Sequence, residues 1–138
     1  MNPKEIHLPR KIANQLLHLA QISPDAEICG LVSSKQGKVN HCYPVKNVAN
    51  HPEQRFLLDA SEQIAAMAQM RELHEDLFAI YHSHPTAPAQ PSTHDIALAT
   101  YPEAVHLIIS LNTKGVLDMR CFKIDQQTAL EIPLVMYD

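Results

Sequence analysis

A chain of 138 residues, 46% apolar and 19% charged, is large enough to bury one core without disulfides, and its composition argues against disorder. A formal net charge of -4 offers no basic excess, so the chain is not expected to bind nucleic acid, which needs clustered Lys and Arg. No apolar run approaches the roughly 20 residues that span a bilayer, which argues against a membrane protein.

Ile6 to Leu8 reads as a short strand, and Pro9 opens an amphipathic helix to residue 21 carried by Ile12, Leu16 and Leu19. Ser23-Pro24-Asp25 ends it. Residues 27–45 read as a β-hairpin turning at Lys35-Gln36-Gly37, and residues 46–54 as a polar loop. Phe56 to Leu58 suggests another strand, and Ser61 is the expected cap of a helix reaching about His74. Leu77 to Tyr81 has the continuous apolar character of a strand buried on both faces, and it runs straight into His82-Ser83-His84-Pro85. The prolines of 85–91 imply a constrained loop. Ser92 opens a helix to about Thr100. Val105 to Leu111 is a second buried strand, Asn112–Gly115 a hairpin turn, and Val116–Ile124 and Leu130–Met136 are closing strands. This order predicts an α/β fold, a mixed sheet with flanking helices, in one domain covering residues 1–138.

His82 and His84 lie two apart on a strand, so both side chains point to one side and can converge on one ion. Asp95 is the best third ligand, because the proline loop can turn the next helix back toward the strand end. Two imidazoles and a carboxylate suit a borderline metal such as zinc, with a fourth position open for water. Ser92-x-x-Asp95 is equally a helix capping box, and the two readings are compatible. His94 competes as a ligand but points about a quarter turn away from Asp95. A hydrolytic site of this kind also needs a carboxylate base. Glu27 heads an apolar strand, yet by spacing alone Glu5, Glu53, Glu62 and Glu75 are as available. The other histidines, His7, His18, His41, His51, His74 and His106, show no ligand spacing and read as surface or satisfied core residues. Cys29, Cys42 and Cys121 are odd in number and form no CxxC pair, which implies reduced thiols and a cytoplasmic setting.

Taken together, Glu27, His82-x-His84-Pro85 and Pro91-Ser92-x-x-Asp95 resemble the JAMM motif of the MPN+ zinc metalloproteases. Glu27-x-Cys29-Gly30-Leu31, Tyr81-His82, and Asn47 with Arg55-Phe56 and Asp59 are similar to the family's smaller prokaryotic members. The resemblance implies a cytidine-deaminase-like MPN fold, Zn2+ on His82, His84 and Asp95, Glu27 as general base and acid, and Ser92 as an oxyanion donor. It implies cleavage of an amide bond at the Gly-Gly tail of a ubiquitin-like or sulfur-carrier protein. The alternative is a non-catalytic MPN scaffold that keeps a metal site. A nucleobase deaminase would need His-x-Glu and Pro-Cys-x-x-Cys, which this chain lacks. Metal storage on the surplus histidines is a further possibility, and nothing in the sequence decides whether the chain forms a homo-oligomer.

Overall fold

The computed structural model describes residues 5–97, 99, 101–112 and 118–138. The predicted turn at Asn112–Gly115 and the first residues of the strand expected from Val116 lie largely outside these residues. Among them, no helix is long and apolar enough to cross a membrane.

The elements are β1 (Ile6–Pro9), α1 (Arg10–Gln21), β2 (Cys29–Lys35), β3 (Lys38–Val45), α2 (Ala60–Glu72), β4 (Asp76–His84), α3 (Thr93–Ala97), β5 (Val105–Ser110), β6 (Asp118–Asp125), β7 (Thr128–Ile132) and β8 (Leu134–Tyr137). The main sheet has the order β3-β2-β4-β5-β6-β7, and β1 pairs with β8 in a separate two-stranded sheet. Strands β4 and β5 are parallel and every other pair in the main sheet is antiparallel, so the sheet is mixed as expected. A parallel pair needs a crossover. Here the crossover carries the proline loop and α3, and it brings the residues after His84 back over the sheet.

Each face of the sheet has its own core. Helix α1 buries Ile12, Ala13, Leu16 and Ala20 against Val32, Ala79, Tyr81, Leu107 and Ile109. On the other face, Ala66 and Met70 of α2 pack on Leu31, Val45 and Ile80. Ile108, Phe122 and Ile124 continue that face under Ala89. The alternation along β4 therefore sends Tyr81 to the α1 side, and Ile80, His82 and His84 to the side of α2 and α3. Six consecutive buried residues, Ala79 to His84, reflect this double covering.

Gly30 sets the approach of β2 to its neighbours. A Cβ there would lie 2.5 Å from the Tyr43 carbonyl oxygen and collide with the Tyr81 phenol. With glycine, β2 seats in register and Cys29 falls opposite His82.

Several expectations change at this level. The N-cap of α2 is Asp59, whose carboxylate accepts the Glu62 amide at 2.9 Å, while the Ser61 hydroxyl donates to that same carboxylate at 2.9 Å. Helix α2 ends at Glu72 instead of His74. Phe56 to Leu58 is not a strand and contributes only a bridge from Leu58 to Asn47. The segment expected as one strand from Leu130 to Met136 is broken at Pro133, so β7 joins β6 and β8 joins β1. Helix α3 is described over Thr93–Ala97, and positions 98 and 100 of its expected extension to about Thr100 lie outside the described residues.

Candidate metal centre

Three side-chain atoms converge at the C-terminal end of β4. His82 Nε2 lies 3.1 Å from His84 Nε2 and 3.0 Å from Asp95 Oδ2, and His84 Nε2 lies 3.2 Å from that same oxygen. All three side chains are buried. A tetrahedral ion with bonds of about 2.0 Å places its donor atoms about 3.3 Å apart, so the donor set fits a divalent ion with little movement.

The capping reading of Asp95 holds, and the cap leaves its carboxylate beside the two imidazoles. The Asp95 amide donates to Ser92 Oγ at 3.0 Å, and the Ser92 amide donates to Asp95 Oδ2 at 2.9 Å. This reciprocal box starts α3 and aims the carboxylate at the two imidazoles. His94 is half-buried and lines a cavity of about 220 Å³ beside the centre, with Phe56, Leu58, Ile80 and Tyr101.

His84 Nδ1 lies 2.7 Å from the Pro88 carbonyl. A carbonyl only accepts, so Nδ1 carries the proton and Nε2 is turned to the centre. His82 differs. Its Nδ1 is buried with no partner among the described residues, and its ring stacks on Phe56 with centroids 4.3 Å apart and planes 21° apart. Sequence reasoning missed both supports. Proline-rich 85–91 was a signal for the first, because a segment poor in amide donors leaves carbonyls free.

Glu27 is brought to the same place. A carboxylate oxygen lies within 4.8 Å of a ring nitrogen of each histidine, the residue is 4% exposed, and Oε1 has no hydrogen-bond partner among the described residues. Its main chain is pinned by the Pro52 carbonyl, which accepts the Glu27 amide at 2.7 Å, and by Asn47 Nδ2, which donates to the Glu27 carbonyl at 3.0 Å. The competing glutamates are placed elsewhere. Glu75 sits at the other end of β4, bound by Tyr43 and His41. Glu62 accepts the Lys46 amide, and Glu53 is exposed on the rim of the cleft. That cleft has a volume of about 360 Å³ and is lined by Glu53, Gln54, Glu27, His84, Ser92 and several residues of 85–91.

The electrostatics are those of a charged centre withdrawn from water. Burial pushes the Glu27 carboxyl up to about 8, with His84 opposing and Asp95 reinforcing the shift. Burial also works against the Asp95 carboxylate, but hydrogen bonds from His82 and His84 overcome it and hold Asp95 well below the usual carboxylate range. The two imidazoles diverge. Burial lowers His82, whereas at His84 the Asp95 and Pro88 oxygens outweigh burial and raise it.

His106 is the exception among the remaining histidines. His7, His18, His41, His51 and His74 are exposed, but His106 is buried and its Nε2 has no partner among the described residues. Burial pushes its pKa down to about 4 from 6.5, with smaller contributions from His82, Asp95 and Lys123. A depressed histidine contributes stability that is complete above its ordinary pKa and is lost as pH falls through the folded value. In thermal melts of metal-free protein, His106→Leu is expected to lose less stability than the unsubstituted chain between about pH 7 and about pH 5. The difference should be on the order of 1.5 kcal/mol. Equal losses would show that His106 is not held neutral by the fold.

Comparisons with known proteins agree with this fold. The profile of the family described as "Prokaryotic homologs of the JAB domain" matches residues 9–125. A desampylase of Haloferax volcanii is 35% identical over 89 residues, which is 63% of this chain and 64% of that protein, just under two thirds of its length. A CysO-cysteine peptidase of Mycobacterium tuberculosis is 29% identical over 119 residues, 85% of this chain and 80% of the relative. Among solved structures, a protein of Desulfitobacterium hafniense superposes with a TM-score of 0.83 at 31% identity, covering 96% of this chain and 93% of that one. A JAB1/MPN domain protein from Archaeoglobus fulgidus shares the fold with a TM-score of 0.62 at 17% identity, each chain covered in full.

Proposed function

Because the chain belongs to the prokaryotic homologues of the JAB domain, we propose that it is a zinc-dependent peptidase of the JAMM type in a single domain spanning residues 1–138. Its substrate is an amide bond at the C-terminal Gly-Gly tail of a ubiquitin-like or sulfur-carrier protein. One observation carries this reading: three side-chain atoms lie 3.0–3.2 Å apart, and a carboxylate oxygen of the buried Glu27, whose Oε1 has no partner among the described residues, lies within 4.8 Å of both histidines. Burying an unpartnered carboxylate is unfavourable, and the proton transfers proposed below give it a role.

His82 Nε2, His84 Nε2 and Asp95 Oδ2 would hold the ion. A zinc ion there supplies Lewis acidity, lowering the pKa of water from about 15.7 to about 7 and polarising the scissile carbonyl. Glu27 takes the proton of the attacking water at its carboxylate and returns it to the departing nitrogen, so one water is consumed and an acid and an amine are formed. Ser92 Oγ already accepts the Asp95 amide, which leaves its own hydrogen free to donate to the carbonyl oxygen as charge develops. The names of two relatives, desampylase and CysO-cysteine peptidase, support the carrier-protein class. A glycine tail also suits a narrow cleft, since it can bind through main-chain hydrogen bonds alone. The three free cysteines fit a cytoplasmic setting.

The test is incubation of zinc-loaded protein with a sulfur-carrier extended by several residues beyond its Gly-Gly end, followed by intact mass. Cleavage after the second glycine, stopped by a chelator and restored by zinc, is the expected result. A carrier that stays intact at equimolar enzyme would refute the substrate assignment.

A further inference from the structure

The geometry points to Phe56 as a positioning residue for His82, fixing by stacking what a hydrogen bond fixes for His84. This inference rests on the proposed metal reading and adds a residue to it. Ligand imidazoles normally donate the second ring nitrogen to an acceptor, which sets both tautomer and orientation. His84 follows the pattern through Pro88, at 2.7 Å. His82 does not, for its Nδ1 is buried and without a partner among the described residues. No polar group there holds the plane of the His82 ring. The Phe56 ring lies against it at 4.3 Å and 21°, a stacked arrangement that resists tilting and keeps Nε2 directed at Asp95 Oδ2, 3.0 Å away.

Phe56 is itself held from both sides. Asn47 Nδ2 donates to the Arg55 carbonyl at 3.1 Å, and Asn47 Oδ1 accepts the Leu57 amide at 3.0 Å. The same Nδ2 donates to the Glu27 carbonyl at 3.0 Å. One asparagine thus ties the segment that clamps His82 to the segment that carries the proposed base.

The test measures zinc affinity by chelator competition, with melting temperatures in parallel, for the unsubstituted chain, Phe56→Leu, Phe56→Tyr and Leu58→Ala. Leu58 packs in the same apolar cluster as Phe56 and so controls for general loosening. Phe56→Leu is expected to weaken zinc by about ten-fold or more. Phe56→Tyr, which keeps a flat ring, should stay within about three-fold, and Leu58→Ala should lower the melting temperature with affinity unchanged. Ring nitrogen NMR of the zinc-loaded protein should show one His82 environment in the unsubstituted chain and a broadened one in Phe56→Leu. Unchanged affinity in Phe56→Leu, or an equal loss in Leu58→Ala, would overturn the inference and leave the metal centre standing. Failure of all four proteins to bind zinc would remove both.

Discussion

Glu27→Gln is expected to lower turnover by about a thousand-fold while zinc stays bound at full stoichiometry. Positioned acid–base groups contribute roughly 10²–10⁴ in rate, and an amide keeps the shape of the carboxyl but accepts no proton. The same substitution should act oppositely on the fold. Burial raises the Glu27 carboxyl from 4.5 to about 8, so the native state favours its neutral form. Stability of the metal-free protein is then greatest below the ordinary value and falls as pH rises toward the folded one. The substituted amide never charges, so near pH 8 the variant should be more stable, by on the order of 2 kcal/mol after allowing for solvent screening. Intact-mass time courses, metal analysis and thermal melts read the three quantities separately. Unchanged turnover would take Glu27 out of the mechanism. A melting temperature lower than that of the unsubstituted protein would show that its burial is compensated.

Asp95→Asn should fail in the complementary way, losing the ion and the activity together. Ser92 remains the helix cap, and an asparagine carbonyl at position 95 can still accept the Ser92 amide, so the reciprocal box and α3 should remain in place. What disappears is the anionic oxygen shared by the two imidazoles. Outer partners of metal ligands are worth about 10–100-fold in affinity, and a direct ligand is worth more, so zinc binding should weaken by at least about a hundred-fold. Chelator competition and metal analysis of the purified variant measure this. Full zinc occupancy with activity retained would show that Asp95 serves only in the capping box with Ser92.

Those two outcomes separate a base from a ligand, and the sequence separated them unevenly. The His-x-His pair was legible because strand alternation is local, and the continuous apolar run before it placed the pair at a strand end. Ser92-x-x-Asp95 was legible as a cap for the same reason, and the geometry behind a ligand role became visible only when the crossover set α3 against β4. Glu27 could not be told from its rivals by spacing. Its selection depends on the pairing of Cys29 with His82, a long-range register that Gly30 permits. Phe56 was read as a strand residue, since an apolar triplet looks alike whether it pairs with a neighbour or leans on an imidazole. At α2, two good caps stood two residues apart. Asp59 prevails over Ser61 because Asp59-x-x-Glu62 places an acid in the first turn, a signal present in the sequence. Pro133 carried the information that the last strand must break, because its ring removes a ladder donor.

Anomalous X-ray diffraction at the zinc edge, from crystals grown with zinc, bears most directly on the centre itself. A single strong peak about 2.0–2.2 Å from His82 Nε2, His84 Nε2 and Asp95 Oδ2, with Glu27 outside bonding distance, is the predicted result. A fully loaded crystal whose peak lies elsewhere, or no peak between these side chains at saturating zinc, would contradict the account.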